Sequence, residues 1–184
     1  MIKFPTKLED WEGFEIKLVS DVVVNQYLID AWMEAMRDGN PLYWNEEVAK
    51  EVAGGIIAPT PATLTFAAGF RWSPRRPDEI WDVHNLETEG KKQAIRLPLE
   101  THFALKEFVG LKEGIVGGIE AEYHEPMRIG DRLNISTKVV GIGEVRTNLL
   151  GTGRDWTNEV RYTKQDGTLV SIERYKFYCY NRGA

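Results

Sequence analysis

Apolar and polar residues alternate along much of the C-terminal half of this chain, while the N-terminal half groups its apolar residues at helical spacing. Near the start, "FEIKLVS" (Phe14 to Ser20) alternates and predicts a strand. Ser20 or Asp21 is placed to cap a helix that runs to about Arg37, with Val24, Leu28, Ala31 and Ala35 on one face and Tyr27 and Trp32 widening it. Gly39 and Asn40-Pro41 stop that helix. "NEEVAKEVA" (Asn45 to Ala53) predicts a second, shorter one, ended by Gly54-Gly55. In "IIAPTPATLTFAAGF" the prolines Pro59 and Pro61 suit a helix start, Thr60 is a cap candidate, and Ala62 to Phe70 is apolar or small on every side. A helix without a polar face is expected to be buried.

The stretch from Arg71 to Gln93 is rich in proline and charge and too long for a plain connection. "ETHFALKEFVGL" predicts a further short helix. Beyond it, Ile119, Ala121 and Tyr123 alternate with Glu120, Glu122 and His124. Gly130-Asp131 marks a turn, "RLNISTKVVGI" alternates again, and Asp166-Gly167 joins two strands as a hairpin. The order is helix-rich first and then a long antiparallel meander. That predicts an α+β fold in which a sheet wraps one buried helix, with residues 1–184 forming a single domain and about 71–113 a long insertion.

Composition narrows the function classes. The 184 residues are 42% apolar, enough for a core, and the net charge of -5 excludes a nucleic-acid backbone as the main partner. Arg71, Arg75 and Arg76 form the one compact basic group, which reads first as a solvated loop. Cys179 is the single cysteine, so an intrachain disulfide and a cysteine metal site are both excluded. The charged "MIKFPTKLEDWEGFEIK" has no apolar signal region, and no apolar run approaches the roughly 18 residues that span a bilayer. A soluble, cytoplasmic protein with no membrane partner is expected.

Chemistry is sparse. Asp38 and Asn40 lie where a helix meets a turn, and both are ordinary turn residues. His84, His102 and His124 are scattered and form no metal-ligand spacing. A nucleophile elbow, a phosphate loop and a dinucleotide fingerprint are absent. The residues alone support a soluble α+β domain with an acid-bearing turn.

A resemblance carries the reading further. "DGNPLYWNEEVA" resembles the signature of MaoC-like, R-specific enoyl-CoA hydratases, Asp-x-Asn-Pro-x-His followed by a small residue: Asp38, Asn40, Pro41 and Ala49 match, and Tyr43 occupies the histidine position. "GGIIAPTPATL" is similar to the stretch that opens the central helix in the FAS1-like branch of that family. "EYHEPMRIGDRLNISTKVV" and "NEVRYTKQDGTLVSIERYKF" resemble its Pro-x-x-x-Gly-Asp turn with flanking strands and its closing hairpin. The resemblance implies a hot-dog fold, an antiparallel sheet curled around the Ala62–Phe70 helix. It also implies hot dogs packed in pairs, as a homodimer, a heteromer or a tandem repeat, and an acyl-CoA thioester in a tunnel near their interface.

The same resemblance assigns catalysis to Asp38 and to position 43, and substrate contact to Asn40, Gly54, Gly55, Ile56 and Ala58, with no cofactor and no metal. In intact sites of this kind the carboxylate and imidazole deprotonate a water that adds to C3 of the enoyl thioester, and backbone N–H groups polarise the thioester carbonyl. Tyr43, with an ordinary pKa of about 10, is a poor base near pH 7. The expectation is therefore a substrate-accommodating subunit that depends on a partner hot dog with the Asp/His pair. A self-sufficient hydratase working through Asp38, and a scaffold that binds acyl-CoA without chemistry, stay open. Thioester hydrolysis would ask for a carboxylate on the Ala62–Phe70 helix, which has none. Contact of Arg71, Arg75 and Arg76 with CoA phosphates is also open.

Overall fold

The computed structural model describes residues 2–69, 74–80, 92–93 and 98–183. Its elements in chain order are β1 (Glu15–Val23), α1 (Gln26–Met36), α2 (Glu46–Ala53), α3 (Thr63–Ala67), β2 (Glu79–Ile80), β3 (Lys92–Gln93), α4 (Glu100–Phe108), β4 (Glu113–Tyr123), β5 (Arg132–Ile142), β6 (Arg146–Asn148), β7 (Gly151–Thr163) and β8 (Leu169–Asn181). Five long strands make one antiparallel sheet in the order β1-β5-β7-β8-β4, with β6 added to β7, and β2 pairs with β3 separately. β5, β7 and β8 form the expected meander, but β4 does not join it in sequence. It lies at the far edge beside β8, so residues 124–131 cross from one side of the sheet to the other.

The register aligns side chains in rows across the concave face. Ile135 pairs with Tyr162 and Tyr162 with Ser171; Thr137 pairs with Val160 and Val160 with Glu173; Val139 pairs with Asn158 and Asn158 with Tyr175. β4 extends these rows with Tyr123, Ala121 and Ile119. The alternation predicted for β4 therefore holds: these three share one face, and Glu120 and Glu122 pair with Lys176 and Arg174 on the other.

α3 and α4 both cover the concave face. Ser20 on β1 donates its hydroxyl to the Phe66 carbonyl (3.0 Å), tying α3 to the sheet. Phe66 is 2% exposed, and its loss to alanine would cost about 3–5 kcal/mol in a core of this kind. On α4, Thr101 meets Thr137 at 2.7 Å and accepts from the Asn158 amide, while Trp156 donates to His102 Nδ1 at 3.1 Å. His102 is buried and stacks on Phe177 at 3.7 Å between ring centroids. α4 lies within the stretch expected to be an insertion, yet it packs on the principal sheet.

Three expectations need correction. The helix that follows β1 is capped by Asn25, whose side chain accepts from Leu28 N–H, not by Ser20 or Asp21. Those two belong to β1, which is longer than predicted. The later start turns Ile29, Leu28, Trp32 and Met33 inward, and leaves Tyr27, Ala31 and Ala35 exposed. The buried apolar segment is shorter than Ala62–Phe70. A 3-10 turn over Thr60–Ala62 leads into α3, the chain is extended at Ala68, and Phe70 lies outside the described residues. Ala62, Thr63, Phe66 and Ala67 are buried as expected. Thr60 makes no side-chain cap; its carbonyl accepts from the Thr63 hydroxyl (2.8 Å).

Candidate active site

The turn between α1 and α2 is built by short polar side chains that satisfy backbone donors. α1 ends at Arg37, the one non-glycine residue at positive φ (53°) among the described residues, which swings the chain so that Asp38 N–H reaches the Met33 carbonyl (3.1 Å). Asp38 Oδ1 then accepts from Asn40 N–H and Asn40 Oδ1 from Leu42 N–H, each at 3.1 Å. Asn40 thereby caps the 3-10 turn Pro41–Tyr43, and Asn45 caps α2 by accepting from Val48 N–H (3.1 Å).

These contacts bring Asp38, Asn40 and Tyr43 together, as the motif requires. Asp38 is partly exposed, whereas Tyr43 is only 6% exposed and packs edge-on against Trp32. Burial pushes the Tyr43 phenol above its ordinary value of 10.0; a hydrogen bond with the Asn40 side chain pulls it partly back, and the Asp38 carboxylate pushes it up again. Tyr43 near neutral pH is thus a neutral phenol able to donate, and no base.

The second predicted group, Gly54 to Ala58, runs beside this turn. Ile57 N–H reaches the Leu42 carbonyl (3.1 Å), and Ala58 N–H reaches the Met127 carbonyl (2.8 Å) on the crossing segment. Gly54, at φ 72°, closes α2 in the left-handed conformation, where glycine has no side-chain penalty. Its N–H and that of Gly55 return to Lys50 and Ala49, so both are spent on the helix end. Ile56 N–H is the donor in 54–58 left without a partner among the described residues.

Arg128 was not anticipated. Its guanidinium donates to the carbonyls of Ala53, Gly55 (3.1 Å) and Ile56 (3.4 Å), while its own N–H is held by Asp131 Oδ2 (2.8 Å). It locks the Gly54–Ile56 turn to the Gly130-Asp131 turn. The clue in the sequence is an arginine inside the Pro-x-x-x-Gly-Asp stretch, since an arginine fork suits several carbonyls at once. Of the basic group, Arg76 pairs with Asp21 on β1 (2.9 Å), which gives it a structural role, and Arg71 lies outside the described residues. His84 lies outside them too; His124 is exposed. No group of three or more His, Cys, Asp or Glu among the described residues is placed to hold a metal. No helix among them is long and apolar enough to cross a membrane.

Residues 10–173 match the family model described as FAS1-like, dehydratase domain region. The chain belongs to that family. A probable enoyl-CoA hydratase alpha subunit from Thermomonospora curvata is 26% identical over 153 residues, covering 83% of this chain and 44% of that protein. The chain thus spans under half the length of this curated relative. The ChsH1-ChsH2 complex of Mycobacterium tuberculosis contains a chain that matches 92% of this one, and is itself covered to 85%, at a TM-score of 0.67 and 18% identity. A MaoC-like dehydratase from Rhodospirillum rubrum matches at a TM-score of 0.60 and 20% identity, over 96% of this chain and 98% of that one. With the sheet described above, the likeness to these solved structures makes the fold a hot dog of the kind seen in MaoC-like dehydratases.

Proposed function

We propose that this chain is the substrate-accommodating subunit of a heteromeric enoyl-CoA hydratase, or dehydratase in the reverse direction, whose partner hot dog supplies the Asp/His pair. The observation that carries this reading is Tyr43. A buried phenol with a raised pKa stands where the family motif has its imidazole, and its contact with Asp38 raises it further. Hydration needs a group that removes a proton from water near pH 7, and a phenol of this kind does not. In the partner's site a carboxylate and an imidazole deprotonate the water that adds to C3, and C2 receives a proton. Here Asp38, Asn40 and Tyr43 shape the equivalent space for the acyl group.

The open sheet edge favours a partner. On β4, Val116, Ile119 and Tyr123 are 52%, 59% and 46% exposed on the concave face, next to an edge that no other strand covers among the described residues. An apolar edge strand of this length invites pairing with another chain. The naming of a relative as an alpha subunit, and the likeness to a chain from a two-protein complex, agree with a heteromer. The reading takes residues 1–184 as one hot-dog unit acting in solution on an acyl-CoA thioester.

The test is hydration of crotonyl-CoA and bulkier enoyl-CoA esters by the purified chain, alone and with a MaoC-like hot-dog protein that carries the Asp/His pair. Turnover is expected only in the mixture. Robust turnover by the chain alone, abolished by Asp38→Asn, would replace this reading with a self-sufficient hydratase. Esters that bind without turnover in either preparation would leave a scaffold.

A further inference from the structure

The concave face carries a block of polar residues that neither the motif nor the family likeness assigns. β7 and β8 align Asn158 with Tyr175, Val160 with Glu173, and Tyr162 with Ser171 as consecutive cross-strand pairs. Five of these six residues are polar, and all six are no more than 4% exposed. Tyr175 donates its hydroxyl to Glu173 Oε2. The Tyr162 hydroxyl lies beside Glu173 and Tyr175 without completing a hydrogen bond. The Ser171 hydroxyl and Asn158 Oδ1 also have no partner among the described residues.

Such a block works against stability. An unpaired buried hydroxyl or amide oxygen loses its hydration and gains nothing in return, and apolar residues of similar shape would serve a sheet interior better. A buried polar atom that the fold leaves unsatisfied calls for a partner, and a cluster of three in one block marks a place where a ligand or ordered water completes them. The block is also close to the open edge. Ala121, Ile119 and Tyr123 continue its three rows on β4 and are exposed, and Ala121, beside Glu173, is too small to wall it off.

We propose that Asn158, Tyr162, Ser171, Glu173 and Tyr175 form a polar subsite that hydrogen-bonds an uncharged oxygen function, a hydroxyl or a ketone, on the acyl group at a distance from the thioester. This rests on the acyl-CoA reading above and specifies its substrate class. The subsite offers hydroxyls that both donate and accept, an amide oxygen that accepts, and one carboxyl. Among the described residues no lysine, arginine or histidine is a cause of the Glu173 shift, so the described lining offers an anionic acyl group no counter-charge. A purely aliphatic chain would leave the three unpartnered atoms unpaired, and the site rejects it on the same ground that makes hydrogen-bonding pockets selective.

The test compares octanoyl-CoA with its hydroxylated forms carrying the hydroxyl at C5, C6, C7 or C8, by calorimetry on the chain with its partner hot dog. At least one hydroxy ester is expected to bind about tenfold more tightly than octanoyl-CoA. Tyr162→Phe removes a hydroxyl that has no hydrogen-bond partner among the described residues. It is expected to melt no lower than the parent protein while losing most of that preference. Equal binding of all the esters, or a preference unchanged in both Tyr162→Phe and Tyr175→Phe, overturns the subsite and leaves the hydratase reading standing. Failure of every ester to bind removes the acyl-CoA reading, and the subsite with it.

Discussion

At the scale of single residues, the site turns on one substitution and on what surrounds it. The motif fixes the spacing of Asp38 and Tyr43, and the turn between α1 and α2 brings both to Asn40; their role in a site is the proposal above. The sequence did not show how deeply Tyr43 is buried, which depends on Trp32 packing against it from α1. If the partner does the chemistry, Asp38→Asn leaves turnover of the assembled enzyme within about twofold, since a transition-state group would cost far more. A loss of a hundredfold or more would put Asp38 in the reaction. Tyr43→His supplies the missing imidazole base in one step, and slow hydration of crotonyl-CoA by the chain alone is its expected result. A completely silent Tyr43→His protein, folded by circular dichroism, would mean that position 43 does not face the reacting carbons.

At the scale of elements, local rules predicted well where both the signal and its satisfaction are local. Asn45 opens α2 and Gly54 closes it, as the sequence suggested, because caps and left-handed residues act within one turn. Asn45→Ala is expected to cost about 1 kcal/mol and Gly54→Ala about 1–2 kcal/mol in urea unfolding. An effect on Gly54→Ala below about 0.3 kcal/mol would show that the turn shifts to avoid the strain. The start of α1 was misjudged because Ser20 and Asp21 suit a cap locally, while pairing of β1 with β5 and the Ser20 bond to Phe66 decide otherwise. Tertiary contacts of that kind leave no trace in a local pattern. β4 shows the converse. Its alternation was correct, but which of its faces meets another molecule follows only from its place at the sheet edge. Ile119→Asp puts a charge on that face without touching the core, so the chain should keep its own melting temperature within a few degrees while the heteromer dissociates, as sedimentation would show. A mixture that still co-sediments would move the interface away from β4.

At the scale of the whole molecule, the buried polar block was hidden by the very alternation that revealed the strands. Alternation marks β8 as a strand, but from Val170 to Glu173 both of its parities are buried, and the face of Ser171, Glu173, Tyr175 and Phe177 is the one that packs toward α4. This arrangement has a thermodynamic signature. Burial raises the Glu173 carboxyl above its ordinary 4.5, and the hydrogen bond from Tyr175, with the Tyr162 hydroxyl nearby, pulls back only part of that shift. Tyr123 adds its phenol at the rim, also raised by burial and by Glu173. A carboxyl raised in the folded state holds a proton there that the unfolded chain has already released. Between 4.5 and the folded value the native protein therefore binds more protons, and stability falls as pH rises through that window. Glu173→Gln keeps the shape and cannot ionise. Melting temperatures of the parent and of Glu173→Gln, measured at intervals from pH 4 to pH 8, should therefore diverge, with the parent losing ground as pH increases. The other carboxylates, common to both proteins, cancel in the difference. Parallel profiles would mean that Glu173 is solvated in the folded protein, against the burial of the polar block on which the proposed subsite rests.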